Sequence, residues 1–60
     1  MKLNKGDLIA VKTVEEKRIT AIVISVFKNN KYFYCYEIDS GGCRLVYEKE
    51  VEFIISEGFD

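Results

Sequence analysis

The longest apolar stretch of the chain covers residues 19–27, Ile-Thr-Ala-Ile-Val-Ile-Ser-Val-Phe. It is crowded with β-branched side chains, holds no Gly or Pro and follows no helical period, so it predicts a strand rather than a helix. Neither of its alternating sets of positions is polar, so water suits neither face. Shorter apolar runs on either side are separated by turn-forming clusters. Gly6-Asp7 opens a strand over 8–12, and residues 13–18 make a charged connection. Lys28-Asn29-Asn30-Lys31 reads as a tight hairpin turn, because Asn tolerates positive φ and two apolar runs flank the pair. An aromatic strand follows over 32–38, and Asp39-Ser40-Gly41-Gly42 is a second turn, where Gly supplies left-handed backbone at little steric cost. A fourth strand spans 43–47, Glu48-Lys49-Glu50 forms a single turn, and a last strand spans 51–55. A short tail closes the chain, with Phe59 expected to fold back. The pattern predicts an all-β chain of five short antiparallel strands with one short helical turn before the last.

The first hairpin predicts which side chains share a face. A two-residue loop at Asn29-Asn30 sets Ala21 opposite Ile38, Val23 opposite Tyr36, Ser25 opposite Tyr34 and Phe27 opposite Tyr32. Small residues then meet bulky ones, as the inside of a curved ribbon requires, so the tyrosines are expected to point inward. The other side pairs Thr20 with Asp39, Ile22 with Glu37, Ile24 with Cys35 and Val26 with Phe33. Its polar members mark it as the outer side. It leaves Ile22, Ile24, Val26, Phe33 and Cys35 as an exposed apolar stripe, unless the second strand bends to serve two layers. In the second hairpin the loop length decides whether Leu45 or Val46 points inward. Opposite Glu37, Arg44 or a neighbour is placed for a cross-strand ion pair.

Size and composition sharpen this picture. With 60 residues the chain makes a single domain, 1–60, and its opening Met1 reads as the start of a complete small gene product. A chain of this length buries only about 60 % of the surface its unfolded form exposes. Such domains often rely on a disulfide, a metal or a partner. The apolar fraction of 48 % and charged fraction of 32 % suit a globular protein. A formal net charge of -1 gives no general attraction to nucleic acid or to an anionic membrane. No run approaches the ~18 apolar residues of a spanning helix, and Lys2 is not followed by a signal-like apolar region.

Chemistry has little to work with. There is no His, hence no ready general base near neutral pH. Ser25, Ser40 and Ser56 sit in no nucleophile motif. Cys35 and Cys43 lack Cys-x-x-Cys spacing, so a metal site would be short of ligands. The two cysteines are expected to lie too far apart along the ribbon to bridge, which predicts reduced thiols and a cytoplasmic protein. No catalytic residue, cofactor, metal or small-molecule substrate is predicted.

One pattern runs through most of the chain: Gly6-Asp7-x-Ile9-x-Val11, Ala21-x-Val23-Ile24-x-Val26, Tyr36-x-Ile38 with Gly41, then Val46 and, five on, Val51. It resembles the small SH3-like barrels of the Tudor and KOW kind, a shape met among small bacterial and phage proteins. The resemblance covers residues 6–54 and implies an SH3-like barrel with a long, bent second strand. The chain departs from it at Ala21, where Gly is usual, and at Ser40-Gly41-Gly42, where Asp-Gly is usual. The family's spacing favours Val46 as the inward residue. A Tudor-like methyl-lysine reader would need an aromatic cage, and residues 13–18 and 39–43 offer no aromatic. A KOW-like barrel would bind nucleic acid, here through Lys28, Lys31, Tyr32 and Phe33 at the hairpin tip, as a stacking platform with cationic flanks. The leading expectation is a non-enzymatic protein–protein interaction module. Its contact surface is the stripe Ile22, Ile24, Val26, Phe33 and Cys35, and its partner is a second copy or another protein.

Overall fold

The computed structural model describes residues 2–58, so the expected fold-back of Phe59 lies outside the described residues. Five strands form: β1 (Leu8–Lys12), β2 (Arg18–Phe27), β3 (Tyr32–Glu37), β4 (Cys43–Tyr47) and β5 (Val51–Ser56). A single 3-10 turn, Glu48–Glu50, joins β4 to β5. The protein is all-β. Every pairing is antiparallel, in the order β4-β3-β2-β1-β5.

The ten-residue β2 is the spine. Its first half pairs with β1, Ala21 opposite Ile9 and Ile19 opposite Val11. Its second half pairs with β3, and the register slips by one residue at Ile24. That bulge lets one strand serve two differently directed parts of the sheet, since a bulge bends its strand and deepens the local twist. Ile9, Val11, Ile19, Ala21, Val23, Phe33, Cys35 and Val46 come from four strands and, with Leu3, form one buried cluster. Val26, Val51 and Ile54 pack at its margin. Side chains from so many strands meet only if the sheet curls round them, which makes the architecture small and barrel-like. Ala21 is fully buried, so the close packing here accepts a methyl where the family resemblance favours Gly.

Two turns differ in detail from expectation. The first hairpin is closed by Phe27 opposite Tyr32 through a four-residue loop, with Lys31 N–H donating to Phe27 C=O at 3.1 Å. Lys28, Asn29 and Asn30 all take positive φ, at 52°, 56° and 71°. Consecutive Asn residues carry most of that left-handed run, as their short polar side chains permit. The third strand stops at Glu37, and Ile38 lies in the second turn. That turn is closed by Glu37 N–H donating to Gly42 C=O at 2.7 Å and Gly41 N–H donating to Glu37 C=O at 2.9 Å, with Gly41 at φ 77°. The resulting register sets Val46 opposite Phe33, inside, and Leu45 outside.

Two buried carboxylates tie the loops down. Glu50 accepts Tyr47 N–H on Oε1 at 2.9 Å and Val14 N–H on Oε2 at 3.1 Å, which fastens the β1–β2 connection to the 3-10 turn. Asp7 accepts Asn4 N–H on Oδ2 at 2.9 Å and Gly58 N–H on Oδ1 at 2.8 Å, which clips the lead-in segment to the tail. Buried backbone donors of loops need such partners.

Candidate functional site

The bulge at Ile24 redistributes the faces. Before it, near the hairpin, Phe27, Val26 and Ser25 keep their expected partners Tyr32, Phe33 and Tyr34. Beyond it, Val23 lies opposite Cys35, Ile22 opposite Tyr36 and Ala21 opposite Glu37. Val23 and Ala21 stay inside, as expected, but they bring Cys35 and Phe33 inside with them. The tyrosines therefore face out. Tyr34 and Tyr36 are 42 % and 39 % exposed, while Phe33 and Cys35 are 1 % and 0 % exposed.

The outer stripe predicted from the unbroken register is thus not an exposed unit. Phe33 and Cys35 belong to the core, Val26 packs against it, and Ile22 and Ile24 are half-buried. The hairpin tip loses a ring for the same reason: Lys28, Lys31 and Tyr32 remain at the surface or its edge, but the Phe33 ring is enclosed and cannot stack on a base.

In its place the sheet presents a different surface. On the outer side of β3 and β4, Tyr32 lies opposite Tyr47, Tyr34 opposite Leu45 and Tyr36 opposite Cys43. Phe27 extends the set onto β2. The rings of Tyr32 and Tyr47 meet edge to face, 5.3 Å between centroids at 69°, an arrangement that suits the quadrupoles of two aromatic rings. Phe27, Tyr34, Tyr36, Leu45 and Tyr47 are all exposed large side chains. Hydrogen bonding with the Cys43 side chain is the main cause that raises the Tyr34 phenol above its ordinary 10.0. Arg44 and Glu37 pair at 3.6 Å on the opposite, inward side of β3 and β4, the ion pair the sequence suggests. Lys31 and Lys49, with Glu48, flank a shallow recess beside Tyr32 and Tyr47.

A local signal for this facing does exist in the sequence. Along Tyr-Phe-Tyr-Cys-Tyr, the residues with a hydroxyl alternate with residues lacking one, and a phenol prefers the wet side. Leu45 and Tyr47 carry no such mark; only the register of the second hairpin places them.

Cys35 and Cys43 are both free thiols, one buried and one exposed. They are near neighbours, since Cys35 lies opposite Arg44. The distance expected along the ribbon is therefore not what separates them; they point to opposite faces of the sheet. Burial pushes the Cys35 thiol from 9.0 to about 11, against a smaller lowering by Arg44. A folded pKa above the unfolded one stabilises the fold fully below pH 9 and loses that contribution as pH climbs through about 11. Unfolding free energy is expected to fall across that window by up to about 1.4 kcal/mol per pH unit from this one group. Denaturant titrations of the native chain and Cys35→Ala check it: the variant should show a shallower decline, and parallel declines would contradict the assignment.

Among the described residues no group of three or more His, Cys, Asp or Glu stands where it could hold a metal ion, and no helix is long and apolar enough to cross a membrane. No protein-family model, curated protein or solved structure matches the chain.

Proposed function

We propose that the chain is a non-enzymatic protein–protein interaction module on an SH3-like barrel, and that the outer face of β3 and β4 is its contact surface. The strand order, the long bulged β2 and the 3-10 turn between β4 and β5 support the barrel reading. One observation carries the functional reading: Tyr34, Tyr36, Leu45 and Tyr47 stand side by side, exposed and uncharged, on a regular pair of strands. Tyrosine is favoured at protein contact surfaces because it brings a large, rigid area with a hydroxyl at its end. Contiguous apolar patches with a polar border commonly mark such surfaces. Two free thiols suit a cytoplasmic setting. Nucleic-acid binding at the hairpin tip is the weaker reading, because Phe33 is enclosed and the acidic Glu48 lines the same recess as Lys31 and Lys49.

Site-specific photo-cross-linking in the producing cell tests the surface. A benzoylphenylalanine at position 34 or 36 is expected to yield discrete protein adducts. The same probe at Glu15 or Lys17, in the charged β1–β2 connection, should yield none. Equal yields from both sets, or none from positions 34 and 36, would overturn the assignment.

A further inference from the structure

Charge is divided unevenly over the molecule. Lys12, Arg18 and Arg44 are engaged in ion pairs with Glu16, Glu52 and Glu37. Among the described residues, Lys28, Lys31 and Lys49 belong to no ion pair, and all three are exposed. Lys28 and Lys31 bracket the first hairpin turn, and Lys31 and Lys49 line one recess. Exposed Lys2 is brought to the same end, because Leu3 N–H donates to Asn30 Oδ1 at 2.6 Å. Two carboxylates share this end: Glu48 lines the recess, and Glu50 is buried with both oxygens accepting backbone N–H groups. Glu16 and Glu52, on the other flank of Lys49, are held by Lys12 and Arg18. Four cations therefore gather against two carboxylates in a chain whose net charge is -1. The opposite end, at the second turn, carries Asp39 instead.

This basic end adjoins the aromatic face. Tyr32 and Tyr47 are the last cross-strand pair of that face, and the recess beside their rings holds about 320 Å³. Clefts for small ligands span ~300–1,000 Å³ and enclose most of their occupant. A shallow recess at the bottom of that range suits one large side chain of a larger partner. From Tyr32 the face runs through Tyr34 and Tyr36, with Leu45 and Cys43 alongside. That is about 14 Å of strand with no charged side chain on this side, since Arg44 and Glu37 pair on the other.

We infer that the partner is an acidic linear protein segment. It seats a large apolar side chain against the Tyr32–Tyr47 pair and sets its carboxylates among Lys28, Lys31 and Lys49. The inference rests on the contact surface proposed above and names the chemistry of its occupant. Positive charge gathered at one end of an uncharged face matches a ligand whose negative charge is also local. A nucleic acid carries a phosphate at every nucleotide, and past Tyr32 and Tyr47 this side of β3 and β4 has no cation to meet the next ones. A second copy has one carboxylate, Asp39, at the other end of its face to set against these lysines. Opposite charges at the border of a contact speed encounter and make binding salt-dependent, while the rings supply the buried area.

Selection of a random peptide display library on the whole immobilised chain tests it. Enriched peptides are expected to hold Asp and Glu beside Phe, Leu or Trp and to be poor in Lys and Arg. Their Kd, read by fluorescence anisotropy, should rise steeply with salt, as screening shortens from about 10 Å at 0.1 M to about 3 Å at 1 M. Lys31→Glu combined with Lys49→Glu changes only exposed side chains. It should weaken the acidic peptide about tenfold or more and bind better a copy of that peptide with Lys in place of its carboxylates. Tyr36→Ala should weaken the acidic peptide and leave its salt dependence unchanged. Far-ultraviolet spectra matching the wild type show that each variant is folded. Neutral or basic winners, no enrichment, or tighter binding of a single-stranded or duplex oligonucleotide than of the acidic peptide would overturn the inference. So would a dimer mass in light scattering that the double lysine variant abolishes. Adducts at positions 34 and 36 alongside non-acidic winners would sink the acidic partner and keep the surface. Acidic peptides that need the lysines but ignore both Tyr34→Ala and Tyr36→Ala would remove the surface, and this inference with it.

Discussion

Phe33→Ala is expected to bring the protein to the brink of unfolding, while Tyr34→Ala, one residue along, leaves it nearly as stable as before. Phe33 is 1 % exposed and is the largest enclosed side chain, seated opposite Val26 and Val46 on its two neighbouring strands. Emptying such a site costs about 3–5 kcal/mol in lost transfer energy plus the cavity left behind. A domain of this size has roughly 3–9 kcal/mol in total, so the change removes much or all of it. Tyr34 is 42 % exposed, lies opposite Leu45 and Ser25 on its two neighbouring strands and hydrogen-bonds the exposed Cys43 side chain. A cross-strand pair contributes about 0.2–1 kcal/mol, and that is the expected loss. Urea midpoints of the two variants check the contrast. Equal losses, or a larger loss at Tyr34, would mean that the two faces of β3 have been exchanged.

That contrast is also where the sequence spoke least clearly. Strand positions, both turns, the 3-10 turn at Glu48–Glu50 and the inward set Ile9, Val11, Ala21 and Val23 follow from local features: β-branched runs, Asn and Gly at left-handed positions, and alternation. The hairpin register also holds from Phe27 to Ser25. It fails at Ile24, one bulged residue, and a one-residue slip turns every later pair to the other face. Nothing in Ile-Val-Ile-Ser-Val marks where a bulge will fall, because each residue there is compatible with either side. The curvature needed to enclose the core fixes it, and curvature is a property of the whole sheet. The candidate surface is lost to the same slip: the unbroken register rightly sets Ala21 and Val23 inside but matches them with Ile38 and Tyr36 instead of with Glu37 and Cys35. Side-chain chemistry along β3 gave the better guide: phenols outward, a phenyl and a thiol inward.

The second large effect belongs to Asp7. Its side chain is buried, with the residue 2 % exposed, and its two oxygens take amide protons from Asn4 and Gly58. Its own backbone is fixed as well, since its C=O accepts Val23 N–H at 2.9 Å and the adjacent Gly6 N–H donates to Val23 C=O at 2.8 Å. Asp7→Ala leaves two amide donors without partners. Hydrogen bonds to a charged acceptor contribute about 1.5–3 kcal/mol each, and water reaching the freed tail offsets part of the loss, so about 2–4 kcal/mol is expected. Asp7→Asn keeps one acceptor oxygen and should lose roughly half as much. An independent route to the same release runs through Gly58, where a Cβ would come within 2.4 Å of the Gly6 carbonyl carbon. Backbone on both sides leaves no flexible end to yield, so Gly58→Ala should also free the tail. If carboxylate and glycine act on one clip, the double variant loses clearly less than the sum of the singles, by a coupling of about 0.5–3 kcal/mol. Strict additivity in urea denaturation would show that Asp7 stabilises the lead-in turn alone and that the tail docks by other means.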